Sequence, residues 1–199
     1  MPARGRMILN RVPFALQARA ARVTGRGWFW IAVVTVLFSA PMLRGLLQGR
    51  PPAPPPVLGS FPGFALIAER GGSFTEADLR RRAFIANLLC SSCRDAQIAP
   101  ETMRALQHRT RNLGDALWLV SFSQNADAAD LAAIRRRYGA GQRWILLAGV
   151  PAEAKPLFTE AGALLLVDGQ LRIRGRYRAD QPDDVARILR DAALIAAMP

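Results

Sequence analysis

Phe84–Pro100, "FIANLLCSSCRDAQIAP", contains the only two cysteines of the 199-residue chain, Cys90 and Cys93. The residues before them, "AFIANLL" (83–89), form a nearly continuous apolar run. At that length and composition the run predicts a central strand buried on both faces. The residues after them repeat apolar side chains at helical spacing (Ile98, Met103, Leu106, Leu113), and Pro100 is expected to kink that helix. A Cys-x-x-Cys pair between a buried strand and a helix can be a working dithiol, a soft-metal site or a loop tie.

The charge around this stretch is uneven. Residues 1–56 carry eight arginines and no acid, which is +8 of a net +12. Two-thirds of the excess thus sits in one flank, which argues for a topological cause and against a nucleic-acid surface. The cause follows at 27–47, "GWFWIAVVTVLFSAPMLRGLL", where 28–43 are uncharged. That span predicts a transmembrane anchor, with Arg44 snorkelling and Trp28 and Trp30 at the interface. The arginines ahead of it keep the cytoplasmic segment 1–26 inside and export the remainder. A cleaved signal peptide is the competing reading, and Pro41 after Ser39-Ala40 obstructs that cleavage. "RPPAPPP" (50–56) makes 48–60 a stiff polyproline linker, leaving 61–199 as one domain.

Within that domain "FALIAE" (64–69), "ALWLVSFS" (116–123) and the hairpin "ALLLVDGQLRIRGRYR" (163–178) read as strands. "RWILLAG" (143–149) is a strand or an extended loop. In the hairpin, Arg172, Arg174, Arg176 and Arg178 are expected on one face, opposite Leu171, Ile173 and Tyr177. Ser73 and Glu76 have capping-box spacing. "DAADLAAIRRRYGAG" and "QPDDVARILRDAALIAAM" read as helices. The order, βαβ and then ββα, predicts an α/β fold with helices on both faces of a mixed sheet and the dithiol at the C-terminal end of a central strand. The arginine triplets 80–82 and 135–137 read as solvated faces, and Trp118 and Trp144 as core.

At the start of a helix, Cys90 would be held as thiolate by unpaired N–H groups, with Arg94, Ser91 and Ser92 assisting. Cys90 then attacks a partner disulfide and Cys93 resolves it. A structural disulfide closing two residues constrains the unfolded chain little. Zinc needs about four ligands, and the chain offers two cysteines and His108.

"FALIAERGGSFTEADLRRRAFIANLLCSSC", "LWLVSFSQNADAADLAAIRRRYGA" and "LLLVDGQLRIRGRY", in this order behind an anchor, resemble the Sco/SenC family over residues 62–192. The resemblance implies a thioredoxin-like fold, a periplasmic or intermembrane-space domain, and copper delivery to cytochrome c oxidase through two cysteines and a histidine. The chain departs from that pattern. It has two residues between its cysteines, where the family has three, and Glu160 or a neighbour where the family has its histidine. Gln124-Asn125-Ala126 replaces an Asp-Pro, and Gly162-Ala163 replaces the thioredoxin cis-proline. His108 lies fifteen residues beyond Cys93, about 22 Å along one helix, and is expected to be a surface or packing residue.

These residues predict a single-pass protein of the bacterial inner membrane with a periplasmic thiol–disulfide oxidoreductase domain. Its catalytic pair is Cys90 and Cys93, and it requires no cofactor. Its client is a cysteine-bearing protein, with a cytochrome oxidase subunit as the candidate, and no nucleic acid partner is expected. Two alternatives stand beside it: Cu(I) carried on Cys90 and Cys93, and a non-catalytic Sco-like docking subunit.

Overall fold

The computed structural model describes residues 27–47, 52–90, 97–124, 127–160 and 162–198. The chain divides into two compact units, Met1–Pro51 and Pro52–Pro199. In the first, helix α1 (Gly27–Leu47) runs 21 residues. Its hydroxyls bond back onto its own carbonyls, Thr35 Oγ1 to Ile31 O at 2.8 Å and Ser39 Oγ to Thr35 O at 2.6 Å. Trp28, Ile31, Val34, Val36, Leu37 and Phe38 are exposed. Among the described residues no helix is long and apolar enough to cross a membrane.

The second unit is built on one 8-stranded mixed sheet in the order β1-β8-β7-β4-β5-β6-β2-β3. Its strands are β1 (Gly59–Ser60), β2 (Ala65–Ala68), β3 (Ser73–Thr75), β4 (Ala83–Leu89), β5 (Leu117–Ser123), β6 (Trp144–Ala148), β7 (Ala163–Val167) and β8 (Arg172–Arg178). β4, β5 and β6 are parallel, with α2 (Ile98–Arg109) and α3 (Ala128–Tyr138) as crossovers. The hairpin β7–β8 joins antiparallel to β4, and α4 (Pro182–Ala196) follows it.

β4 has no polar alternation because each of its faces meets a core. Ile85 and Leu89 point into a cluster shared with Met103 and Leu106 of α2, Leu131 of α3 and Ile188 of α4. Phe84 and Ala86 point into a second cluster with Phe61, Phe64, Phe122 and Phe158. There the Phe61 ring meets Phe84 edge-on at 5.5 Å and stacks on Phe122 at 5.8 Å, geometries that add about 0.5–1.5 kcal/mol each to the burial itself. Helices flank the sheet unequally. All three α-helices of this unit pack on the first face, whereas short 3-10 helices (Glu76–Leu79 and Ala152–Phe158) and the aromatic cluster close the second.

Several local expectations change. The capping box forms between Thr75 and Asp78, whose carboxylate accepts from Thr75 N at 2.8 Å. Glu76 instead accepts from Phe64 N at 3.0 Å. Pro100 is the third residue of α2, within the first turn, where a missing N–H costs no helical bond, so it does not kink the helix. α2 ends at Arg109, and Leu113 belongs to a separate 3-10 segment. "RWILLAG" holds a true interior strand. Asp127 caps α3 and Gly139 ends it at φ 66°.

The arginine stripe of β8 does not exist. Leu166 pairs Gly175 but Val167 pairs Ile173, so Arg174 is an extra residue at a bulge. The bulge reverses the alternation. Ile173 therefore enters the aromatic cluster while Tyr177 enters the other. Arg174 is buried, and its Nε donates to Asp168 Oδ2 at 2.7 Å. Arg135 is not solvated either. Its guanidinium bonds the carbonyls of Ala140, Gly141 and Trp144 and pairs with the buried Glu69. The compact unit begins at Pro52, inside the segment read as a linker. Arg174 Nη1 holds Pro55 O at 3.0 Å, Leu58 N bonds Ile173 O at 2.8 Å, and β1 extends the sheet.

Candidate functional site: a disulfide at the end of a central strand

The three parallel strands end together, since Leu89 is in register with Ser123, and Ser123 bridges Gly149. Cys90 follows Leu89 directly, half-buried, at this C-terminal pole of the sheet. The ladder runs right up to it, because Gln124 N donates to Leu89 O at 3.3 Å. Cys90 is disulfide-bonded, and the described residues contain no free cysteine. The chain's other cysteine, Cys93, lies outside the described residues, as do Ser91, Ser92 and Arg94. The described helix begins at Ile98, so the expected start of the helix at Cys90 also falls on that undescribed segment.

β7 runs antiparallel to β4, and Asn87 is in register with Leu164. Its N-terminal end therefore comes to the same pole as Cys90. Gly162 stands there at φ 75°, a left-handed value, and accepts Ala179 N at 2.8 Å. This is the place where the sequence lacks a cis-proline, and no described peptide bond is cis. The left-handed glycine turns the chain into β7 without one.

Beneath the pole lies a buried polar chain that sequence reading missed. Trp144 Nε1 donates to Ser121 Oγ at 2.8 Å, and Ser121 donates to Asn87 Oδ1 at 2.5 Å. All three residues are fully buried, and Asn87, on β4, is three residues ahead of Cys90. Among the described residues Asn87 Nδ2 has no hydrogen-bond partner. The sequence carries only a hint of it, polar residues inside two apolar runs, Asn87 in one and Ser121 with Ser123 in the other. Asn87 and Ser121 are register partners.

His108 is exposed in the last turn of α2, and Glu160 is exposed ahead of β7. Among the described residues no group of three or more His, Cys, Asp or Glu could hold a metal ion. Cys93, one of the two sulfurs of the family pattern, lies outside the described residues. Glu160, a hard oxygen donor, is a poor substitute toward Cu(I).

No protein-family model and no curated protein matches the chain. Solved structures do match. A SCO1/SenC family lipoprotein from Bacillus anthracis str. Ames superposes with a TM-score of 0.62 at 19% identity, covering 72% of this chain and 99% of that one. The fold is that of the Sco/SenC proteins. BsSco, a member of the Sco family of cytochrome c oxidase assembly proteins in which a disulfide switch was identified, matches with a TM-score of 0.59 at 15% identity, over 76% of this chain and 99% of its own. A thiol:disulfide interchange protein of the thioredoxin family from Chlorobium tepidum TLS matches at 0.53 and 15% identity, over 74% and 100%. The Sco-like fold, a thioredoxin-like mixed sheet, is therefore shared with proteins of both descriptions.

Proposed function

We propose that this chain is a divergent Sco/SenC-type thiol–disulfide oxidoreductase, anchored in the bacterial inner membrane by α1 with its second unit in the periplasm. One observation carries the redox reading: Cys90 is disulfide-bonded at the C-terminal end of the central strand of a Sco-like fold. That is where open α/β sheets present reactive groups. In its reduced form the Cys90 thiolate attacks a client disulfide, releasing one client sulfur as thiolate and forming a mixed disulfide. The Cys93 thiolate then displaces the second client sulfur. Two thiols become one disulfide, two electrons pass to the client, and the two protons end on the client's thiols. Each turnover leaves the Cys90–Cys93 disulfide, so a dithiol donor on the exported side must reduce it. A cysteine-bearing subunit of cytochrome oxidase is the proposed client.

The anchor reading has its own support. It rests on the sequence, an uncharged run at 28–43 behind six arginines, since no described helix meets the length and apolarity of a membrane span. The described polar side chains of the helix spend their hydroxyls on its own backbone, as an apolar surround requires.

The full-length protein in detergent, equilibrated with dithiothreitol at graded poise and thiol-trapped, should show a single two-electron couple and should reduce a model disulfide. Cys90→Ser should lose both, and reduction by that variant as fast as wild type would sink the oxidoreductase reading. Cu(I) carried by Cys90 and Cys93 is the second reading, favoured because they are the only pair of soft donors apart from methionine. Stoichiometric copper retained anaerobically against a strong chelator, and lost with both cysteines, would establish it.

A further inference from the structure

The pole opposite Cys90 holds a second feature. There the β7–β8 turn (168–171) packs against Arg80–Arg82, just ahead of β4. Arg81 N donates to Gly169 O at 3.1 Å. A Cβ on Gly169 would lie 2.8 Å from Arg81 Cα, so only glycine permits this approach. Two non-glycine residues among the described ones have a left-handed backbone, Arg81 at φ 67° and Leu171 at φ 61°, and they belong to the two segments that meet here. Such values are costly for a residue with a Cβ, and they gather where a chain is shaped to hold a ligand.

Two adjoining clefts open at this approach. The first, of about 520 Å³, is lined by Arg80, Arg81, Gly169, Gln170 and Leu171. The second, of about 470 Å³, shares Arg81, Gly169 and Gln170 and adds Asp168, Arg172 and an apolar wall that includes Ala83, Ala116 and Ile195. Both volumes lie in the range of small-molecule sites. Asp168 is the acidic residue lining them, and its oxygens are engaged by Arg172 Nε, Arg174 Nε and the backbone N–H groups of Gln170 and Arg172. It is thus shared by two arginines and leaves nothing for Arg80 or Arg81. Among the described residues those two guanidinium groups make no hydrogen bond or ion pair, and the Arg172 side chain donates through Nε alone. Asp115, exposed beside Ala116, lines neither cleft.

Two adjacent guanidinium forks without partners, on a backbone held by the turn, suit a phosphate or carboxylate that accepts through two oxygens. The second cleft borders the last turn of α4 at Ile195 and Ala196, where the helix dipole disfavours an anion, and no residue of α4 lines the first. The anionic group therefore belongs in the first cleft, and a carbon skeleton belongs along the apolar wall of the second. We propose that this pole binds a small organic anion, its phosphate or carboxylate held by Arg80 and Arg81 and its carbon skeleton laid against Ala83 and Ala116.

The test uses the full chain in dodecyl maltoside, with phenyl phosphate as the probe and amide hydrogen exchange as the readout. Exchange at 80–82 and 168–172 should slow about twofold or more at saturating probe, since a ligand held by the closed form suppresses its opening. Inorganic phosphate, which has no carbon skeleton, should slow it less, and sodium chloride at equal ionic strength should not slow it. Arg80→Gln with Arg81→Gly should abolish the slowing. Glycine suits the left-handed backbone at 81 and neither guanidinium has a bond to lose, so exchange in β4 and β5 should stay as in wild type. Arg176→Gln, at an exposed arginine toward the other end of β8, should leave the slowing intact. No slowing by phenyl phosphate, equal slowing by chloride, or slowing that survives the double variant would overturn the proposal. Slowing as strong with inorganic phosphate would overturn the apolar half of the site.

Discussion

Asp168 joins the two strands of the hairpin with one carboxylate. Burial by itself would raise its pKa, but the N–H of Arg172, the Arg174 and Arg172 side chains and the N–H of Gln170 together hold it below the ordinary carboxylate value. Asp168 and Arg174 side chains are 6% and 8% exposed, so losing the acid strands a buried cation. Asp168→Asn should therefore cost about 3–5 kcal/mol in urea unfolding at neutral pH. The sign with pH follows from the depressed pKa. The contribution is complete above the unfolded carboxylate value of about 3.9 and disappears as pH falls through the lower folded value. Wild type and Asp168→Asn should accordingly converge in stability at strongly acid pH, and a gap that stays constant there would contradict this origin.

At the scale of elements, β8 shows what a sequence hides. Tyr177 folds back over Gly175, so closely that a Cβ on Gly175 would lie 2.2 Å from the phenol oxygen. The phenol donates to Asp191 of α4 at 2.6 Å, and burial together with that carboxylate raises its pKa. Gly175→Ala should dislodge the ring, break the tie to α4 and cost about 1–3 kcal/mol, read as a lower urea midpoint with less quenching of exchange at Asp191. "RIRGRYR" alternates perfectly as text, so nothing in it announces the bulge at Arg174. The bulge is set by a carboxylate six residues earlier and by the carbonyl of Pro55, far away in sequence. By contrast β4 occupies the predicted 83–89, because apolar length alone marks a strand with a core on each side. α3 was legible from its ends, Asp127 and Gly139. The polar chain below the dithiol was not, because its members lie on three strands and meet only after pairing. Cys90 was legible by place, since it directly follows a run whose apolar length marks a buried strand.

For the whole molecule the anchored reading makes a simple prediction. After expression in a bacterium, the full chain should remain in the membrane fraction through an alkaline carbonate wash. A membrane-impermeant thiol reagent should label reduced Cys90 in intact spheroplasts. Release by carbonate would remove the anchor, and labelling only after lysis would reverse the orientation. The two ends of the central strand differ. Cys90 stands just beyond its C-terminal end, while Gly169 closes against Arg81 at the other, so the seven residues of β4, about 23 Å, separate the sulfur from that close backbone approach. Crowding there should unsettle the fold without reaching the redox pair.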